Sequence, residues 1–136
     1  MICFMWLCLK NRTLIGDNYR RRGGIGPSVC HLCLHDEETI QHLFVNCEES
    51  KDIWKGICCQ LNIECTWSSI SLEENLKRWF MSKPKLFLVS FMVIWGIWLH
   101  RNNVIFKGAR QQAGVIIKKI YKGILEYKVD KAIERE

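Results

Sequence analysis

The chain has 136 residues and is 49% hydrophobic, with six tryptophans among its aromatic residues. A chain of this length and composition can bury a sizeable core and form one domain, which excludes extensive disorder. The net charge of +6 is uneven: residues 1–68 carry seven Lys and Arg against eight Asp and Glu, whereas residues 69–136 carry thirteen against six. The basic second half is compatible with an anionic partner, either nucleic acid or a membrane surface, and equally with a basic protein that has no such partner.

Eight cysteines are a high number for a chain of this size. The apolar opening MICFMWLCL has no basic residue before it and no small-residue cleavage site after it, so it is not typical of an export signal. We therefore expect an intracellular protein, nuclear or cytoplasmic and not secreted, whose thiols are reduced or metal-bound. Five cysteines lack a spacing typical of metal ligands and are predicted to be small buried residues: Cys3, Cys8, Cys58, Cys59 and Cys65.

The hydrophobic periodicity predicts a mainly α fold with short loops. Capping residues mark four helix starts, and a Ser-x-x-Glu capping box is the clearest of them. Gly23 and Gly24 end the first helix, and Pro84 ends the fourth. Four predicted helices begin after a capping residue: after Thr13 to residue 22, after Thr39 to residue 46, after Ser50 to residue 61 and after Ser71 to residue 83. Two further helices are predicted at residues 85–106 and 111–134.

The long fifth helix contains an apolar run of fourteen residues, 86–99, interrupted only by Ser90 and Gly96. A bilayer needs about 20 apolar residues, and the following His100 and Arg101 are polar, so the run predicts a core helix and no membrane span. The last helix is amphipathic, with a lysine-rich outer face. It is predicted to pack against the long helix, with a membrane-lying or partner-binding helix as the alternatives.

The stretch CHLCLHDEETIQHLFVNC, residues 30–47, has the spacing of a zinc site. Cys30 and Cys33 place two thiols on one tight turn, and His42 and Cys47 supply a second pair from a short helix and its end. His31 points away from such a turn, and His35 would leave His42 without a role. A thioredoxin-like pair requires a preceding strand, and a retroviral-type knuckle would need histidine where Glu38 stands. The four ligands predict one structural Zn²⁺, because no coordination position is left for water.

These motifs together resemble a known family. NRTLIGDNYRRRGGIGPSVCHLCLHDEETIQHLFVNCEESKDIW is similar to the zinc-binding domain that follows the reverse transcriptase in plant LINE-type (non-LTR) retrotransposons, and IWLHRNNVIFKG is similar to a segment downstream of that domain. The resemblance implies nucleic-acid binding, with RNA or DNA as the partner. Its motifs fall on Trp6, Thr13, Arg20 to Gly23, Cys30, Cys33, Glu37, Glu38, His42, Leu43, Phe44, Cys47 and Trp54.

The sequence departs from the family at Arg12, where proline is frequent, and at His31, which replaces a proline in the knuckle. No acidic polymerase motif or ribonuclease H pattern is present, and no nucleophile has a base at diagnostic spacing, so we expect neither an enzyme nor a small-molecule substrate. The predicted organisation is a zinc-binding module at residues 1–65 and a helical segment at residues 66–136 that packs on it.

The expected function is a retrotransposon-derived nucleic-acid-binding module. The phosphate contacts are expected from Arg20, Arg21 and Arg22, while the acidic residues 36–38 weigh against phosphate contact at the knuckle itself. The alternatives are a zinc-stabilised protein-interaction module, which would bind protein through its amphipathic helices, and a non-functional relic fragment.

Overall fold

The computed structural model of the chain describes residues 29–134, with side chains as far as residue 127. The predicted helix at residues 13–22 lies outside the described residues. The prediction of a mainly α fold with short helical pieces around a Cys/His cluster, a long core helix and a C-terminal helix is confirmed. In chain order the elements are a π-helical turn His42–Asn46, α1 Glu48–Gln60, α2 Leu72–Ser82, a 3-10 turn Pro84–Leu86, α3 Phe87–Lys107 and α4 Ala113–Glu134.

Helix α1 starts earlier than the sequence pattern predicts. Its N-cap is Cys47, and Glu48 and Glu49 occupy the first turn, where carboxylates interact favourably with the helix dipole. The predicted cap Ser50 is instead fully buried inside the helix, and its hydroxyl donates to the carbonyl of Leu43. The prediction of Ser50 as the cap is therefore wrong, because this hydroxyl joins α1 to the preceding turn.

The start and the end of helix α2 agree with the boundaries predicted from the sequence. The Ser71 hydroxyl accepts a hydrogen bond from the Glu74 backbone N–H at 3.1 Å, which is the N-terminal cap that the capping box predicts. Helix α2 ends before Pro84, and the 3-10 turn that follows moves the start of α3 to Phe87, two residues later than predicted. Helix α3 ends at Gly108, whose φ of 63° is the left-handed conformation that favours glycine.

The buried Trp54 and Trp79 and the partly buried Trp67 pack together beside the first turn. Trp54 and Trp67 stack with their ring centroids 3.6 Å apart, and Trp79 meets Trp54 edge to face at 5.6 Å. The carbonyl of Phe44 accepts hydrogen bonds from two indole N–H groups, at 3.2 Å from Trp54 and 3.0 Å from Trp67. The polar edges of the stacked rings are thus satisfied inside the core, and the loop that carries Trp67 is fixed against α1.

Helix α3 is confirmed as a core helix, with buried Val89, Val93, Ile94 and Ile97 on one side. It also buries the polar residues His100 and Arg101. Within residues 29–134, no helix combines the length and apolar character needed to cross a membrane.

Helix α4 packs across both α1 and α3, and glycines allow its close approach. A Cβ on Gly56 of α1 would lie 2.2 Å from Ile117 Cδ1, and a Cβ on Gly96 of α3 would lie 2.5 Å from Ile120 Cδ1. The glycines of α1 and α3 therefore leave the space that two isoleucine side chains of α4 occupy. The expected contact with the long helix is present, and the contact with α1 adds to it.

Replacing Gly56 or Gly96 with alanine should destabilise the protein. The overpacking cost of about 1–3 kcal/mol should exceed the gain of about 0.5–1 kcal/mol that alanine brings to a helix interior. Urea denaturation of each variant measures the difference in the free energy of unfolding. Gly114→Ala is the matched control, because nothing lies within 4 Å of a Cβ at that position of α4 and the change should be neutral or stabilising. Equal stability of all three variants would contradict the packing described for α4.

Candidate metal centre

The first two candidate ligands lie on a compact backbone turn. The Cys30 N–H donates to the Asp36 carbonyl at 2.8 Å, and the Leu34 N–H donates to the Cys30 carbonyl at 2.8 Å. Val29 and Glu37 form an antiparallel bridge that closes the base of the loop. Leu34 has a φ of 62°, a left-handed conformation that reverses the chain directly after Cys33. The turn therefore brings both thiols of the Cys-x-x-Cys pair to one side.

The other two candidate ligands are joined by the π-helical turn. The Cys47 N–H donates to the His42 carbonyl at 2.7 Å, a hydrogen bond that spans five residues and widens the turn. The Thr39 hydroxyl accepts from the His42 N–H at 2.9 Å, in agreement with the cap predicted from the sequence. His42 thus lies inside the turn and Cys47 at its exit, where α1 begins.

The four side chains converge on one point. Their ligand atoms all lie within 4.8 Å of one another, with Cys30 Sγ 3.9 Å from Cys47 Sγ and Cys33 Sγ 3.2 Å from His42 Nε2. Tetrahedral zinc with ordinary bond lengths separates two sulfurs by about 3.8 Å and a sulfur from a nitrogen by about 3.6 Å. The donor set, its number and its spacing fit a tetrahedral Zn²⁺ site.

Hydrogen bonding favours ionised sulfur at Cys47, whereas burial opposes it. The hydrogen bond from Cys30 lowers the pKa of Cys47 to about 5 despite burial, and the backbone amides of Ser50 and Glu49 act in the same direction. The same contact with Cys47, together with burial, raises the pKa of Cys30. The contact between the two sulfurs therefore favours a thiolate at Cys47 over one at Cys30, and a bound cation would favour the thiolate at both.

His42 is oriented so that Nε2 lies in the cluster and Nδ1 is directed away from it. Asp36 Oδ2 is 4.0 Å from Nδ1, which is too long for a hydrogen bond. His31 and His35 are not in the cluster, as expected from the spacing. Arg20, Arg21 and Arg22, the predicted phosphate-contacting residues, lie outside the described residues.

A buried ion pair that the sequence analysis missed ties the knuckle to α3. Arg101 Nη2 and Nε donate to the two carboxylate oxygens of Glu38, at 2.8 and 3.2 Å. The Arg101 guanidinium also lies 4.8 Å from the ring centroid of Trp98 and donates to Asn102. Glu38 is only 1% exposed, so its charge is neutralised inside the protein and does not oppose phosphate at the surface. The segment IWLHRNNVIFKG contains Trp98, Arg101 and Asn102. Its resemblance to the family was noted in the sequence, but the contact of Arg101 with Glu38 was not predicted.

A second arginine holds the turn from the loop between α3 and α4. Arg110 donates to the carbonyl of Leu32 at 2.9 Å and to the carbonyl of His31. It also pairs with Glu49 of α1 at 3.2 Å. Glu49 lies 3.7 Å from the buried His100, and burial raises the pKa of Glu49 and lowers that of His100. The two hydrogen bonds from Arg110 to backbone carbonyls hold the knuckle turn against the loop between α3 and α4.

The cysteines outside the cluster differ from one another. Cys58 is buried, as predicted, whereas Cys59 and Cys65 are exposed, so the prediction of burial is wrong for these two. A hydrogen bond from Cys58 lowers the pKa of the Cys65 thiol to about 6, and the nearby cations Lys83 and Lys55 contribute. Cys3 and Cys8 lie outside the described residues.

Comparison with known proteins adds one finding. Residues 1–54 match the family model described as zinc-binding in reverse transcriptase. The matched range contains all four clustered ligands and covers 54 of the 136 residues. No curated protein matches the chain, and no solved structure matches it. The match supports zinc as the metal of this site, while the plant LINE-type origin stays a prediction.

Breaking the Glu38–Arg101 pair should be costly. Arg101→Met leaves a carboxylate buried without its partner and should lower the free energy of unfolding by about 3–5 kcal/mol. The double variant Glu38→Gln with Arg101→Met should recover part of that loss, because no unpaired charge remains. Urea denaturation of metal-loaded protein provides the measurement.

Lys77→Gln is the matched control for this experiment. It breaks the exposed pair of Lys77 with Glu73, whose atoms are 3.5 Å apart, and should change stability by less than about 1 kcal/mol. A loss in Arg101→Met no greater than that in the control would show that the ion pair does not anchor the knuckle.

Proposed function

We propose that the chain is a zinc-stabilised nucleic-acid-binding module derived from a retrotransposon, with one structural Zn²⁺ and no catalytic centre. The observation that carries the proposal is the closed set of three sulfurs and one imidazole nitrogen within 4.8 Å. Cys30, Cys33, His42 and Cys47 would hold the ion, which would cross-link the turn, the π-helical segment and the start of α1. A zinc ion with four protein ligands supplies folding free energy and has no position for a substrate or a reactive water.

Nucleic acid is the proposed partner for two reasons. The matched family is described as zinc-binding in reverse transcriptase, a class of enzyme that works on nucleic acid. The net charge of +6 provides the long-range attraction that phosphate backbones require. Arg20, Arg21 and Arg22 remain candidates for phosphate contacts on the strength of their sequence position, directly before the knuckle.

A groove between α3 and α4 favours the second candidate, a protein-interaction module. It has a volume of about 490 Å³ and is lined largely by apolar side chains. Leu88, Leu99 and Tyr127 are partly exposed along it, which is typical of surfaces that bind a helix of a partner protein. Self-association at micromolar concentration, abolished by Leu99→Asp, together with an absence of nucleic-acid binding would favour this candidate.

Purified protein should contain one zinc per chain. Structural zinc contributes about 10–16 kcal/mol in small zinc-finger peptides, so Cys30→Ser or Cys47→Ser should lose the metal and unfold the region around the knuckle. Elemental analysis and thermal melting measure the two effects. His31→Ala, His35→Ala and Cys59→Ser are controls that should keep both the zinc and the melting temperature. Less than half an equivalent of zinc in refolded parent protein would refute the assignment.

Zinc-loaded protein should bind RNA and DNA oligonucleotides in a shift assay, with an affinity that falls as salt rises. Each phosphate contact contributes about 0.7–0.9 to the slope of log affinity against log salt, so changing Arg20, Arg21 and Arg22 together to Gln should lower that slope by roughly two. Zinc content and melting temperature should be unchanged in this variant. No binding by the parent at low salt would contradict the proposed function.

A further inference from the structure

Cations and exposed apolar side chains occur together where α2 meets α3. Residues 75–87, with the sequence NLKRWFMSKPKLF, contain four Lys and Arg and no Asp or Glu. Phe80 is 52% exposed and Met81 is 82% exposed, although both are large hydrophobic residues. Contiguous exposed apolar surface of this kind marks a contact site when it is bordered by charge. We call Lys77, Arg78, Phe80, Met81 and Lys85 the aromatic–basic corner.

The spacing along α2 makes the corner contiguous. Lys77 precedes Phe80 by three residues and Met81 by four, and Arg78 precedes Met81 by three. Residues three and four apart are neighbours on a helix surface, so the two cations border the exposed apolar pair. Lys85 lies in the 3-10 turn that follows and extends the positive charge beyond the end of α2.

The backbone beneath the corner is held by contacts to the core. The Trp79 indole N–H donates to the Leu86 carbonyl at 2.8 Å, closing the turn between the helices. Lys83 Nζ lies 4.6 Å from the Trp79 ring centroid and donates to Thr66. The ring of Phe80 meets that of Phe87 edge to face at 5.1 Å, which orients it while leaving half of its surface exposed. Phe80 is therefore a positioned aromatic platform.

The charges of the corner are available to a ligand. Within residues 29–127, Lys77 pairs with the exposed Glu73 at 3.5 Å, a contact of little energetic weight. Among the described residues, no hydrogen-bond or ion-pair partner is found for the side chains of Arg78 and Lys85. The C-terminal dipole of α2 explains a preference for cations at this end, but it gives no reason to expose Phe80 and Met81.

We propose that the aromatic–basic corner is a contact surface for single-stranded nucleic acid. An unpaired base would stack on the exposed ring of Phe80, Met81 would cover its edge, and Arg78, Lys77 and Lys85 would contact the neighbouring phosphates. Stacking on an aromatic ring beside a positively charged surface is how proteins hold single strands without reading their sequence. A duplex keeps its base faces inside the helix, so it can use the cations but not the ring. This inference rests on the proposed nucleic-acid-binding function and assigns it a surface.

Fluorescence anisotropy with labelled 12-nucleotide single strands tests the surface on the full, zinc-loaded chain. The parent should bind a single strand more tightly than a duplex of the same sequence. Phe80→Ala should weaken single-strand binding about tenfold, the loss of one stacked base, and Phe80→Tyr should largely retain it. Arg78→Gln with Lys85→Gln should lower the salt slope by about 1.4, since two single-strand phosphate contacts contribute about 0.7 each.

Two matched controls separate this surface from general effects. Phe106→Ala removes another exposed aromatic ring, 75% exposed at the end of α3, and should leave the affinity unchanged. Lys118→Gln with Lys122→Gln removes the same charge from the exposed face of α4 and should leave the salt slope unchanged. Zinc content and melting temperature are measured for every variant, and a variant that has lost either is replaced by Phe80→Gln or Arg78→Ala at the same position.

Each outcome of the experiment decides one statement. Parent binding that is unaffected by the corner variants, or weakened equally by the controls, overturns the corner and leaves the proposed function standing. Equal affinity of the parent for single strand and duplex also overturns the stacking role of Phe80. No binding of the parent to any oligonucleotide overturns the function itself, and binding only to vesicles of anionic phospholipid would likewise overturn nucleic acid as the occupant of the corner.

Discussion

The buried contact between Arg101 and Glu38 fixes the turn that carries the Cys/His cluster to helix α3. Removing two charges from water is unfavourable unless their geometry and hydrogen bonds are complete. Here the guanidinium faces both carboxylate oxygens, and its remaining surface contacts Trp98 and Asn102. Such a pair tolerates little displacement, so it fixes the orientation of the knuckle relative to α3.

The other side of the knuckle is held by the tryptophan stack. The Phe44 carbonyl lies within the π-helical turn, between the candidate ligands His42 and Cys47, and accepts from the indoles of Trp54 and Trp67. A displacement of the Cys/His cluster would therefore move a carbonyl to which Trp54 and Trp67 are bonded, and a displacement of these rings would move the cluster. Because of these shared hydrogen bonds, the proposed zinc ion would stabilise the helical core as well as the turn that holds it.

The cationic side chains of the described residues fall into two groups, those that contact other groups of the protein and those on its surface. Arg101, Arg110 and Lys83 direct their charge toward carboxylates, carbonyls and aromatic rings within the protein. The cations of the aromatic–basic corner and of the outer face of α4 are on the surface. Net charge alone does not distinguish these two groups, although only the second is available to an anionic partner. The acidic residues 36–38 were expected to oppose phosphate contact at the knuckle. Glu38 no longer contributes to that expectation, because its charge is neutralised by Arg101.

Local signals were sufficient for much of the helical pattern and for the candidate ligands. The cap at Thr39, the cap at Ser71 and the stop before Pro84 depend on residues a few positions apart, so they can be recognised in the sequence. The spacing of the four ligands is likewise contained in eighteen residues. The error at Ser50 has a tertiary cause, because its hydroxyl bonds to the preceding turn and does not cap its own helix.

By itself, then, the sequence determined a mainly α chain, its helix ends to within a few residues, and which four side chains converge. Only the tertiary structure decided that Glu38 meets Arg101 across 63 residues, that Trp67 stacks on Trp54, and that α4 packs into Gly56 and Gly96. It also decided that Phe80 and Met81, apolar in sequence, are exposed. The physical reason is range: caps and ligand spacings are set by neighbours along the chain, whereas ion pairs, ring stacking and exposure depend on which distant segments return to the same place.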